Sequence, residues 1–265
     1  MIESPLLEKL TGYIGGRWTD NEHGNTFDVY NPATGKVIAQ VASMSEDEVS
    51  AAIASGKSAL RLTSPYSIET RRKWLEDIRD ALKANKEEVG RILCMEHGKP
   101  LQEAQGEVDY AAGFFDYCSK HIQALDAHTI PEKPKDCTWT VHYRPIGVTG
   151  LITPWNCANR IFVHEKVADA FGEKLAERVN KMTVGDGING DVDLGPLINQ
   201  AGYDKVKRHV QDALEKGATL VAGKKPEDLG NDLFFPPTVV HGVNRDMYCY
   251  QEETFGPLVP MALFR

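Results

Sequence analysis

Apolar positions change their spacing several times along the chain. Residues 13–40 alternate short apolar stretches with turn formers, which predicts short strands. Asn31-Pro32-Ala33-Thr34-Gly35 is a turn cluster between apolar stretches at 27–29 and 37–41. A helical period follows. Ser45-Glu46-Asp47-Glu48 has the spacing of a capping box, in which the Ser hydroxyl satisfies a free first-turn amide and Glu48 reaches back. A second helix starts near Ser67, with Trp74, Ile78 and Leu82 on one face. A third carries Val89, Ile92 and Leu93 and ends at His97-Gly98. Pro100 suits the first turn of a fourth, whose apolar stripe is Val108, Ala111, Phe115, Cys118 and Ile122.

From Cys137 the period becomes two. Thr138, Thr140 and His142 alternate with Trp139, Val141 and Tyr143, which predicts an exposed or edge ribbon. Residues 146–152 read as a buried strand that stops at Thr153-Pro154. The second half alternates again: a strand at 161–163, a helix marked by Val167, Ala170, Phe171 and Leu175, and a helix marked by Val206, Val210 and Leu214 and closed by Gly217. Strands follow at 218–222, 237–240 and 258–264. Helix and strand in alternation make the fold class α/β. The chain stops straight after an apolar strand, from which a continuing natural sequence is expected.

Composition adds limits. Of 265 residues, 42% are hydrophobic and 26% charged, the balance of a globular chain with a sizeable core. A net charge of -8 argues against a nucleic-acid backbone binder. The N-terminus has no apolar segment of a secretory signal, and no apolar run is long enough to cross a bilayer. Cys94, Cys118, Cys137, Cys157 and Cys249 are odd in number and lack metal-ligand spacing, which points to a reducing cytoplasm and to no metal site. The histidines show no ligand spacing either.

Three motifs invite chemistry. Gly185-Asp186-Gly187-Ile188-Asn189-Gly190 spells a dinucleotide loop. A helix precedes it and Asp191-Val192-Asp193 follows, so a surface turn is the better reading. Cys157 adjoins Asn156, whose side-chain amide suits an oxyanion, with His164 and Glu165 a few residues on. A small buried hydrophobe is the alternative for this thiol. Glu252 and Glu253 suit a general base or ribose hydroxyls, or are merely solvated. Phe255-Gly256-Pro257 behind them can hold an aromatic against a planar ring.

Taken in order, these pieces resemble the aldehyde dehydrogenase family, closest to its succinate-semialdehyde type. Tyr13-Ile14-Gly15-Gly16, the turn at Asn31, Glu96-x-Gly98-Lys99-Pro100-Leu101 and Arg144-Pro145-Ile146-Gly147-Val148 are similar to that family's N-terminal part. Thr153-Pro154-Trp155-Asn156 ends it. Cys157-Ala158-Asn159-Arg160, Leu194-Gly195-Pro196-Leu197 and Glu252-Glu253-Thr254-Phe255-Gly256-Pro257 are similar to the later catalytic part. The resemblance implies NAD(P)+-dependent oxidation of an aldehyde, such as a semialdehyde, to its acid. It implies that Asn156 stabilises the oxyanion. Ile152, Thr153, Pro154 and Trp155 would line the cofactor cleft, Glu253 would hold the nicotinamide ribose, and Phe255 would flank it. NAD or NADP is the implied cofactor, and a small aldehyde the implied substrate.

In the family a long segment separates Pro-Trp-Asn from Ala-Asn-Arg. Here Asn156 runs directly into Cys157. The absent stretch carries the family's pyrophosphate-facing helix start, general base and nucleophile. Family register puts the nucleophile at Trp155 and makes Cys157 the second cysteine of some members. The expected architecture is therefore a partial aldehyde-dehydrogenase-like fold. Residues 1–156 are the helical part of a Rossmann-type NAD(P)-binding domain, with an oligomerisation ribbon near 137–144, and residues 157–265 are an incomplete catalytic domain. An inactive form of the enzyme is expected. The alternative is a non-catalytic module that forms homo-oligomers or pairs with a full-length homologue.

Overall fold

The computed structural model describes residues 2–7, 9–63, 67–132, 134–152, 160–225 and 232–265. They form two compact units that interleave along the chain. The first takes in residues 1–29, 39–90 and 105–152; the second takes in 30–38, 91–104 and 153–265.

The chain opens with two small hairpins. β1 (Gly12–Ile14) pairs antiparallel with β2 (Arg17–Thr19), turning through Gly15 and Gly16 at φ 62° and 80°. β3 (Thr26–Tyr30) pairs with β4 (Val37–Ala42) around the predicted turn, where Asn31 Oδ1 accepts from the Ala33 amide at 2.8 Å and Gly35 takes φ 66°.

Helix α1 (Glu46–Thr63) starts on the predicted capping box. The Ser45 amide donates to Glu48 Oε2 at 2.5 Å and the Glu48 amide to Ser45 Oγ at 3.4 Å. Ser67 caps α2 (Ile68–Ala84), accepting from the Thr70 amide at 3.2 Å. α3 (Lys86–His97) ends at Gly98, with φ 81° and its amide on the Cys94 carbonyl. α4 (Leu101–His121) begins one residue after Pro100, whose carbonyl accepts from the Ala104 amide. Arg72 donates to the Ser119 carbonyl and Arg79 pairs with Asp116, so α2 and α4 are bound antiparallel by polar rungs, and Lys86 at the start of α3 pairs with Asp109. The buried stripe of α4 is Ala104, Val108, Ala112 and Ser119. Cys118, expected in it, is exposed: the helical period carries the inner face to its neighbour.

The predicted ribbon is short. β5 (His128–Thr129) pairs antiparallel with β6 (Thr140–Val141), and the Ile130 amide reaches the Trp139 carbonyl at 2.9 Å. The buried strand expected at 146–152 is overturned. These residues form no strand, and Ile146, Leu151 and Ile152 are 94%, 82% and 99% exposed. An apolar run becomes a buried strand only between flanking strands and covering helices, and no described strand pairs with it.

The second unit is built on a four-stranded sheet in the order β7 (Ile161–His164), β10 (Leu258–Phe264), β9 (Thr238–Val243), β8 (Thr219–Ala222). β10 is parallel to both neighbours and β8 is an antiparallel edge. α5 (Ala168–Val179) covers one face, with Ala168 and Val179 against Val163, Val239 and Met261. α6 (Gln200–Glu215) covers the other, with Tyr203, Val206, Val210 and Ala213 against Val240, Phe235 and Leu258. Burial from both sides explains the apolar run of β10 and the Val239-Val240 pair of β9. On α5 the helix is as predicted, but Val167 and Phe171 are exposed and the packed face is Ala168, Gly172, Leu175 and Val179.

Candidate functional site

The most organised polar cluster lies in the second unit, on the loop between the short helix α7 (Tyr248–Gln251) and β10. Alternate residues of this loop hold it to the protein. Arg160 Nη2 donates to the Glu252 carbonyl at 2.9 Å. Thr254, 2% exposed, meets His209 Nδ1 through its hydroxyl at 2.7 Å. A Cβ on Gly256 would lie 2.5 Å from Val206 Cγ2, so only glycine lets the backbone sit this close to α6. The Thr238 amide donates to the Pro257 carbonyl at 2.8 Å. The residues between these anchors are the sequence-predicted ones: Glu253 is exposed and Phe255 half-buried.

Glu252 lies against α6. Its carboxylate is 3.4 Å from His209 Nε2, 3.5 Å from Arg208 and 3.7 Å from Lys205. His209 is fully buried, and burial is the main cause that pushes its pKa below the ordinary value, with Lys205 and Arg208 adding to it and Glu252 opposing. Burial thus favours the neutral ring. A carboxylate accepts only, so Nε2 carries the proton toward Glu252 and Nδ1 accepts from the Thr254 hydroxyl.

The other candidates separate. Thr153, Pro154, Trp155, Asn156 and Cys157 lie outside the described residues. Ile152 belongs to the first unit. Cys94 and Cys249 are buried, which pushes each thiol up to about 11 and away from nucleophilic use. Among the described residues no group of His, Cys, Asp and Glu is arranged to hold a metal. No described helix is long and apolar enough to cross a membrane.

The Gly185 loop is a packed turn. Asp186 accepts from the Ile188 amide and the Asn189 side chain, and a Cβ on Gly187 would meet Pro100 Cα at 2.6 Å. No strand leads into it and no helix leaves it, so it forms no phosphate cradle.

Sequence reasoning gave Arg160 no role beyond its place in a family motif, and missed His209. The one available signal for His209 was a polar residue on the apolar stripe of Val206 and Val210.

A profile of the aldehyde dehydrogenase family matches residues 18–159 and again 157–265. The chain belongs to the aldehyde dehydrogenase family. The family is NAD(P)-dependent. The mitochondrial succinate-semialdehyde dehydrogenase of Arabidopsis thaliana is 28% identical over 397 positions, covering all of this chain and 75% of that protein. Since the chain has 265 residues, at least 132 of those positions (397 less 265) have no counterpart here. An oxidoreductase structure from Marinobacter aquaeolei is 54% identical, with TM-score 0.93, over all of this chain and 83% of that one. The succinate-semialdehyde dehydrogenase structure from Burkholderia pseudomallei is 27% identical, with TM-score 0.86, over 99% of this chain and 82% of that one. The α/β fold of the family, read in partial form from the sequence, is thus established, as is the kinship with the succinate-semialdehyde type.

Proposed function

We propose that this chain derives from an NAD(P)+-dependent semialdehyde dehydrogenase and is catalytically inactive in the form its sequence gives. The observation that carries this is the double family match meeting at 157–159, with relatives holding 132 further positions. In this reading residues 1–156 are part of the cofactor domain and 157–265 part of the catalytic domain. The Asn156 amide would donate to the oxyanion of a small aldehyde. Ile152, Thr153, Pro154 and Trp155 would line the cofactor cleft. Glu253 would accept from the ribose hydroxyls, with Phe255 beside the ring.

The described residues fit only the ribose end of a dinucleotide. The loop at Glu253 is built, while the Gly185 loop is closed by its own contacts. When bound, NAD(P)+ supplies a hydride acceptor. Trp155, at the register position of the nucleophile, has no group that attacks a carbonyl. The reading places the protein in the cytoplasm.

The purified chain, given succinate semialdehyde with NAD+ or NADP+, should form no reduced nicotinamide above background. A chimera carrying the Marinobacter relative's intervening segment between Asn156 and Cys157 should form it. Turnover by the unaltered chain, abolished by Cys157→Ala, would sink the proposal.

A second reading, a non-catalytic module, is favoured by the ribbon of β5 and β6, where Trp139 and Tyr143 are about half exposed. Such an edge can add a strand of an intact homologue or a second copy. Co-purification with a full-length relative tests it, and loss of the pair on Val141→Pro is the expected control.

A further inference from the structure

We infer that His209 is the positioning residue of the 252–257 loop, fixing from beneath the backbone that presents Glu253 and Phe255. The inference rests on the reading that those two residues meet the nicotinamide ribose. Fully buried side chains on α6 are otherwise apolar, as at Val206, Val210 and Ala213. A histidine in that row costs solvation unless both ring nitrogens are satisfied. Both are turned to this loop: Nδ1 to Thr254 at 2.7 Å and Nε2 to Glu252 at 3.4 Å. One ring thereby grips the residues on either side of Glu253. Val206, nearly one turn earlier, closes against Gly256, so α6 contacts residues 252, 254 and 256 in succession. Glu253 and Phe255, the intervening residues, are held between these three contacts.

The electrostatic setting agrees. The groups facing the ring are Lys205, Arg208 and Asp212 on α6, Tyr248 on α7, and Glu252 on the loop. Two of these are cations close to the Glu252 carboxylate. A proton added to the ring would meet them in a buried site, so the neutral ring with one donor and one acceptor is the form that fits.

Nitrogen-15 NMR of the full chain should find His209 as the neutral Nε2–H tautomer. Hydrogen exchange read by mass spectrometry should then show amides 252–256 opening about tenfold faster in His209→Leu, a hydrogen bond's worth, with β8, β9 and β10 unchanged. Thr254→Val, which leaves the helix intact, should loosen the same amides. His209→Asn, which keeps a polar atom toward Thr254, should recover most of the protection. An Nδ1–H ring, unchanged loop exchange in both His209→Leu and Thr254→Val, or an equal increase over the whole unit would overturn the inference. Added NAD+ tests the underlying reading separately. Protection of amides 252–256 in the unaltered chain supports the ribose role of Glu253. Its absence counts against that role, while the exchange rates of the His209 and Thr254 variants still decide whether the ring holds the loop.

Discussion

Arg160 donates from Nη2 to the Glu252 carbonyl at 2.9 Å, joining residues 92 positions apart. Its guanidinium also lies 5.9 Å from the Tyr250 ring. Arg160→Ala removes a charge-assisted hydrogen bond to a loop carbonyl and should cost about 1.5–3 kcal/mol. Urea denaturation of the second unit reads the loss. Lys cannot match the planar fork, so Arg160→Lys should recover only part.

At the start of α1, Ser45→Ala should cost about 1 kcal/mol by leaving a first-turn amide unmet. Glu48 accepts from the backbone amides of Ser45 and Glu22, and these bonds hold its carboxyl below the ordinary 4.5. A depressed folded-state pKa stabilises above the unfolded value and is lost as pH falls through the folded one. The first unit should therefore weaken below about pH 4.5. Melting against pH, repeated with Glu48→Gln, should show that component missing.

Those elements were legible in the sequence because their causes are local. Ser45 and Glu48 are three residues apart, and the stripe of α6 repeats within one helix. Residues 146–152 were misread because their sequence specifies an apolar run but not whether neighbours exist to bury it. Glu253 and Phe255 were picked out as a motif, whereas His209 and the contact that Arg160 makes were hidden. Their partners, Thr254 and Glu252, lie 45 and 92 positions away, and no local pattern announces such a pairing.

Gly195 is a sharper test of the second unit. A Cβ there would fall 1.7 Å from the Gly98 carbonyl oxygen, an overlap with backbone that no rotamer relieves. Gly195→Ala should cost about 3 kcal/mol or more. Gly190→Ala, whose nearest new neighbour is Val192 Cγ1 at 3.8 Å, should stay within about 0.5 kcal/mol. Circular-dichroism melts of both variants provide the comparison.

Exposed apolar residues at 146–152 should make the chain prone to associate. Leu151→Lys with Ile152→Ser should lower light scattering while changing unfolding free energy by about 0.5 kcal/mol or less. Equal scattering from the double variant would place the cause elsewhere.

The sheet order has a consequence in time. Ile161 pairs with Met261, a hundred residues further along, and β9 reaches β7 only through β10. On a ribosome adding about 5–20 residues per second, β7 waits roughly 5–20 s for its partner. The β8–β9 pair can meanwhile zip up alone. Val163, buried in the finished fold, is thus a chaperone-accessible residue during every round of synthesis, and the birth of this unit is paced by translation.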